Sequence, residues 1–303
     1  MKVFTIQNSK GLCAEILDKG AILKDFRVGG RSVVATHPAL EDYEKNMGFY
    51  GAFVGRFGNR ILHASFELNG KTYALPPNDH GNHLHGVLAR TEFALKEQTE
   101  NKVVLTYHSP DGEEGFPGNV DFTLTYAIGE DNVFTMLYEA VPDADTILNL
   151  TNHTYWKLGA DQKLQVAADR YLEGNEEVCP TGNVLSVEGT VYDFRAPKAV
   201  DNQDARLSMY KCFDNCLVFA DEAVGCDVEA LSPQVCLSSE ESGITMKMTT
   251  NQIAVQLFSG NPNGLALEPE AYPCAPNFPQ FPSTVVKAGE KYTYVTKYQF
   301  QFS

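Results

Sequence analysis

The chain of 303 residues is 43% hydrophobic and 11% aromatic, enough to bury a large core. Its 39 acidic against 24 basic residues leave a formal net charge of −15, which repels phosphodiesters and anionic lipid surfaces and excludes nucleic acid and membranes as partners. The sequence opens without an apolar leader and holds no uncharged run near the roughly 18 residues of a membrane helix, so a soluble, unsecreted, cytoplasmic protein is expected.

In chain order, residues 38–45 form the first of two short helical candidates. The segment Gly51-Ala52-Phe53-Val54-Gly55-Arg56-Phe57-Gly58-Asn59-Arg60-Ile61 follows. It lacks the lysine and the following helix of a phosphate loop, while Arg56 and Arg60, with Asn59, are fork-shaped donors suited to sugar hydroxyls. Asn69-Gly70 lies between Phe66-Glu67-Leu68 and Lys71-Thr72-Tyr73-Ala74-Leu75. Its positive φ angles fit a type I′ hairpin turn.

Residues 78–86 pack His80, His83 and His85 into six positions, and three readings compete. An extended segment would put His83 and His85 on one face, where they could grip a metal. No cysteine or further histidine is near enough in sequence to complete such a site, and an acidic third ligand such as Asp79 is too common to decide it. The second reading is loop histidines that hydrogen-bond or face solvent, and the third is sugar binding. Residues 109–119 are dense in turn formers and read as a fixed surface loop without a catalytic role.

Val120, Phe122, Leu124, Tyr126 and Ile128 share one parity, and Phe134, Met136 and Tyr138 resume it after a turn at 129–132. That is a hairpin with one buried face. In Asn149-Leu150-Thr151-Asn152-His153-Thr154-Tyr155-Trp156, a histidine stands among hydrogen-bonding side chains beside the only tryptophan. On a strand His153 would share a face with Thr151 and Tyr155. Imidazole titrates near neutrality and can serve as acid or base; the alternative is a buried, satisfied strand histidine.

Residues 201–210 are the second helical candidate, and Ile244, Met246 and Met248 mark a strand. Glu268 follows the apolar run Leu265-Ala266-Leu267, which places a carboxylate at a buried strand end. Such a group has a partner or a task, and burial would raise its pKa and strengthen it as a base; a structural ion pair is the competing reading. Glu270, between Pro269 and Ala271, is expected at the surface. Tyr292, Tyr294, Tyr298, Phe300 and Phe302 fall on one parity and mark a last strand.

Cysteines 13, 179, 212, 216, 226, 236 and 274 are odd in number and lack paired CxxC spacing, which fits reduced thiols. Cys212 and Cys216 are read as unlinked packing rather than a zinc site. No linker, repeat or low-complexity run interrupts the strands, so residues 1–303 are expected to form one all-β domain of two packed antiparallel sheets.

Taken in this order and spacing, several segments resemble the aldose 1-epimerases, the galactose mutarotase family, through most of the chain. They are Val54-Gly55-Arg56 with Asn59-Arg60-Ile61, Leu84-His85-Gly86, residues 109–118 and 149–155, Phe213-Asp214, Val255-Gln256, Leu267-Glu268, residues 277–282, and Ala288-Gly289-Glu290-Lys291-Tyr292. The resemblance implies a large antiparallel two-sheet β-supersandwich, galactose mutarotase-like, with few short helices, an open cleft, no cofactor and no metal. It implies Glu268 as catalytic base, His153 as catalytic acid and His85 assisting at the substrate. Asn59, Arg60, Asp214 and Gln256 would position sugar hydroxyls.

The implied partner is a small-molecule sugar, a neutral hexose such as galactose or glucose, and the chain would be a monomer or homodimer. Anomer exchange independently asks for two such groups, expected on opposite sides, because one proton leaves the C1 hydroxyl while another reaches the ring oxygen. A sugar-phosphate mutarotase, which needs a basic clamp, and a non-catalytic sugar-binding module on the same fold remain open. The chain departs from the family pattern beside the expected site. Val87 replaces a second glycine, Lys157 an asparagine, Cys274 an aspartate, and Pro269-Glu270 a Thr-Gln or Pro-Gln pair.

Overall fold

The structure, a computed structural model, describes residues 1–204, 207, 211–220 and 227–302. Two antiparallel sheets dominate. The larger has eight strands in the order Ala94–Gln98, Lys102–Ser109, Val120–Ile128, Val133–Pro142, Tyr292–Gln301, Ile244–Thr250, Val235–Ser239 and Lys163–Val166. The second has six, ordered Tyr155–Trp156, Leu265–Glu270, Ala254–Phe258, Asp214–Phe219, Ala168–Gly174 and Pro180–Ser186. A four-stranded sheet built from the first 32 residues adds a third surface.

One apolar cluster draws on all three sheets, because alternate residues of each strand point the same way. Phe122, Leu124, Tyr126, Met136, Tyr138, Met246, Met248, Tyr298 and Phe300 come from the large sheet; Leu217, Val255, Leu257, Leu265 and Leu267 come from the second. Trp156 joins them, its ring 4.8 Å from that of Tyr298 and 6.1 Å from Phe26 of the N-terminal sheet. The hairpins expected at residues 66–75 and 120–138 pair as the alternation requires.

The helical elements among the described residues are 3-10 turns. Leu40–Glu44 realises the candidate at 38–45, whereas positions 205, 206 and 208–210 of the second candidate lie outside the described residues, as does Cys226. No helix is long and apolar enough to cross a membrane among them. The six other cysteines are free, Cys212 and Cys216 included.

Two sequence expectations change here. Arg56 is only 2% exposed and does not face a ligand. Its Nε donates to Ser109 Oγ at 2.8 Å, Nη1 to the carbonyls of Pro117 and Gly118, and Nη2 to those of Ser109 and Pro110. The loop at 109–119 is therefore fixed from within by a buried guanidinium. Arg56→Met leaves those carbonyls without donors and is expected to cost about 3 kcal/mol, measured as a lowered urea midpoint at unchanged m-value.

The second change concerns His83 and His85. The strand His83–Leu84 pairs with Arg60–Ile61 and then stops, because His85 takes a φ of 63° and Gly86 one of 70°. A Cβ on Gly86 would meet the Gly55 carbonyl oxygen at 2.6 Å, so glycine is required there. The two rings consequently diverge. His83 Nδ1 lies 2.9 Å from the Pro76 carbonyl and its ring packs on Phe116, while His85 turns to the cleft described next. His80 is exposed.

Candidate active site

On the six-stranded sheet odd-numbered residues of Leu265–Glu270 and Ala254–Phe258 enter the core, so the even-numbered ones face away from it. Glu268 lies directly across from Gln256 in the register, and Asp214 lies one pair further along on the same face. Gln256 Nε2 donates to Asp214 Oδ1 at 2.5 Å. Three polar side chains thus emerge side by side from three adjacent strands, where cross-strand neighbours approach closely.

The rest of the site comes from the segments that cover this face. His153 does not sit on a strand, since Thr151–Asn152 and Tyr155–Trp156 flank a break there. Its backbone is held instead to the 51–52 segment, N–H to the Ala52 carbonyl at 2.9 Å and C=O from the Gly51 N–H at 3.0 Å. Its ring still contacts Tyr155, their centroids 4.8 Å apart. His153 Nε2 stands 3.6 Å from Glu268 Oε1, and the His85 ring is 5.4 Å from that of His153.

Asn59, Arg60, His85, His153, Asp214, Gln256 and Glu268, the seven residues singled out in the sequence, all line one cleft with Gly48, Phe49, Leu84, Tyr155 and Phe258. Its volume of about 190 Å³ is below the roughly 300 to 1,000 Å³ of sites for drug-sized ligands, which suits one small polar molecule. Among the described residues Glu268 Oε2 and Gln256 Oε1 are buried without a protein partner, a condition that polar ligand groups can relieve. Donor atoms of His85, His153 and Glu268 all lie within 4.8 Å of one another, close enough to share a single small group or ion. A larger opening of about 660 Å³ lies elsewhere, around Asn251, Gln252 and Tyr292. There Glu229 pairs with Lys297 and Lys291 with Glu139, while Asp227 and Glu290 accept the backbone N–H groups of Glu229 and Lys287, so chemistry rather than volume identifies the site.

Burial sets the charges. It pushes the Glu268 carboxyl well above the usual range, with the neighbouring Glu270 and Asp214 adding to the rise and Arg60 opposing it. Burial pushes the His153 imidazole down to about 4 and holds His85 well below its ordinary value, the latter aided by His153 and Arg60. The His153–Glu268 contact has ion-pair geometry, yet both shifts favour the uncharged forms. The two groups are fully buried and 3.6 Å apart, and desolvation works against the charged form of each. Arg60 stays charged: burial opposes this, but Asp214 and Asp79 outweigh it, the latter through a 2.6 Å bond from Nε.

Glu270 corrects an expectation. It is 0% exposed, because the strand runs on through Pro269 and pairs Glu270 with Ala254, placing it on the same face as Glu268 under the 58–59 segment. Burial raises its carboxyl to about 8. Among the departures, Lys157 is exposed and remote, its N–H bonded to the Val33 carbonyl. Val87 N–H is taken by Glu114. Cys274 is buried against Cys179, with its N–H on the Arg60 carbonyl. Phe49 and Phe258 were not picked out by sequence reasoning, and Asp79 was weighed only as a third metal ligand, whereas it holds Arg60. Only Asp79, beside the histidine cluster, carried a local signal.

A family model described as aldose 1-epimerase matches residues 2–299. The chain is 30% identical over 333 aligned positions to a protein named aldose 1-epimerase from Escherichia coli (strain K12), covering 99% of this chain and 95% of that one. It is 31% identical to a protein named galactose mutarotase from Rattus norvegicus, over 92% of this chain and 86% of the relative. A solved structure described as a GalM/aldose epimerase homologue from C. elegans superposes with a TM-score of 0.91 at 27% identity, covering 99% of both chains. Fold, cleft and sequence relationship converge: the chain belongs to the aldose 1-epimerase family, isomerases that exchange the anomers of an aldose.

Proposed function

We propose that the chain, acting as one cytoplasmic domain, interconverts the α and β anomers of a neutral free hexose such as galactose or glucose, with Glu268 and His153 as its proton-transfer pair. The observation that carries this reading is the 3.6 Å contact between His153 Nε2 and Glu268 Oε1 inside the cleft. The two groups stand side by side rather than across the cleft from each other. The C1 hydroxyl oxygen and the ring oxygen are both bonded to C1, so adjacent groups suit them.

One proton and one negative charge serve the pair. In the reactive arrangement Glu268 is ionised and His153 protonated, with the same net charge as the uncharged pair that burial favours. The carboxylate takes the proton of the C1 hydroxyl while the imidazolium gives its own to the ring oxygen. The C1–O5 bond breaks and the C1 carbonyl forms. Rotation about C1–C2 presents the other carbonyl face to the C5 hydroxyl, and closure returns both protons. Positioned acid–base groups typically contribute about 10² to 10⁴ in rate.

Asp214, Gln256 and Arg60 are then placed to hold hydroxyls, with His85 donating beside them. Phe49 and Phe258 add apolar surface to the cleft lining, which suits the C–H side of a pyranose. Arg60 is already engaged by Asp79 and Asp214, which disfavours a phosphate as ligand. The test follows freshly dissolved α-galactose, α-glucose and their 6-phosphates by polarimetry and proton NMR exchange. Free hexoses should equilibrate far faster with micromolar protein than in buffer, and the phosphates should not. Buffer-rate equilibration of both hexoses would overturn the proposal.

A further inference from the structure

We propose that Glu270 is a positioning residue for the cleft, holding the Asn59 side chain so that Asn59 in turn fixes the ring of His85 and the backbone of Arg60. The inference rests on the mutarotase reading for its kinetic consequence, but its geometry stands independently of turnover.

Asn59 is a hub. Its Nδ2 donates to Glu270 Oε1 at 2.9 Å, and its Oδ1 accepts the Arg60 N–H at 2.9 Å. Its backbone is joined to His85 twice, through the His85 N–H to the Asn59 carbonyl and through the Asn59 N–H to His85 Nδ1, both at 3.1 Å. The residue holds a φ of 61°, a left-handed conformation that asparagine tolerates better than most side chains but that still needs support. Glu270 supplies that support from a rigid strand, locked between the core and the 58–59 segment.

The chemical consequence falls on His85. A backbone N–H can only donate, so Nδ1 must accept, and the neutral ring carries its proton on Nε2. His85 is thereby set as a hydrogen-bond donor through Nε2, the tautomer that can donate to a sugar oxygen. Were Asn59 released, the N–H would lose its aim and the ring could take either tautomer or rotate away. Arg60, whose guanidinium bonds Asp79 and approaches Asp214, would lose one anchor of its backbone at the same time.

Two substitutions separate this role from simple packing. Glu270→Gln keeps a side-chain oxygen to accept from Asn59, whereas Glu270→Met fills a similar volume without one. Long-range 1H–15N NMR of the histidine rings, with the His85 signal assigned by its loss in His85→Gln, reads the tautomer directly and needs no substrate. Wild type and Glu270→Gln are expected to show His85 protonated at Nε2 alone, and Glu270→Met a mixture. For anomer exchange, Glu270→Met should lower kcat/KM at least about 10-fold, mainly through KM, with Glu270→Gln within about 3-fold of wild type. In a His85→Gln background, Glu270→Met should cost much less than it does alone.

An unchanged His85 tautomer in folded Glu270→Met would overturn the proposal whether or not the protein is active. So would equal kinetic losses in Glu270→Gln and Glu270→Met. If Glu270→Met does not fold, Asn59→Gly gives the same readout, since glycine accepts the φ of 61° while deleting both side-chain links; a pure Nε2 tautomer in that variant rejects the role.

Discussion

Glu268→Gln is expected to slow catalysed anomer exchange by at least about 10²-fold and, at neutral pH, to make the protein more stable. The first effect follows from removing the proposed base while keeping its shape and one hydrogen-bonding oxygen. The second follows from burial, which lifts the folded-state pKa of Glu268 above its unfolded value. The folded protein then holds the proton more tightly than the unfolded chain. Stability is fully present below the unfolded pKa and is lost as pH rises toward the folded one. Glutamine removes that loss. The stabilisation should be absent at pH 4 and grow toward pH 8 in thermal melts, while polarimetry reports the lost rate. Wild-type activity in the variant would remove Glu268 from the mechanism.

His153→Asn is expected to cost at least about 10² in rate as well, with the opposite pH signature. Burial drops the folded pKa of His153 from 6.5 to about 4, so across that window the unfolded chain binds more protons than the folded one. Stability due to this group is present above pH 6.5 and falls as the solution is acidified, by up to about 3 kcal/mol. Between roughly pH 4.5 and 6.5 the slopes from His153 and Glu268 oppose each other, which masks both in wild type. Removing either exposes the other: Glu268→Gln should lose stability more steeply on acidification, and His153→Asn more steeply toward alkaline pH. Urea midpoints measured at half-unit pH steps on the three proteins check this, and parallel profiles would refute the assigned shifts.

Strand parity carried most of the fold, because a residue period of two states directly which side chains enter the core. The apolar run before it marked Glu268 as buried, though the strand continues past it to Glu270, and the family resemblance joined it to His153, His85, Asp214 and Gln256. What stayed hidden depends on partners distant in sequence. Arg56 and Arg60 look alike locally, and only the loop at 109–118 decides that one is structural. The backbone turn at His85 is enforced by pairing with Arg60 and by the tight approach of Gly86 to Gly55. Glu270 was misplaced because proline usually signals the end of a strand. Among the described residues, the pairing of Tyr155–Trp156 with the strand Leu265–Glu270 stops at residues 265 and 266, which leaves an open side where Pro269 fits while the strand continues.

The strand Tyr292–Gln301, last in chain order, lies in the middle of the eight-stranded sheet, between Val133–Pro142 and Ile244–Thr250. During synthesis, therefore, the hairpins on either side of it emerge from the ribosome as two separate ribbons with unpaired backbone facing each other. A nascent chain stalled short of this segment would present two raw edges, the kind of surface that attracts chaperones or seeds aggregates.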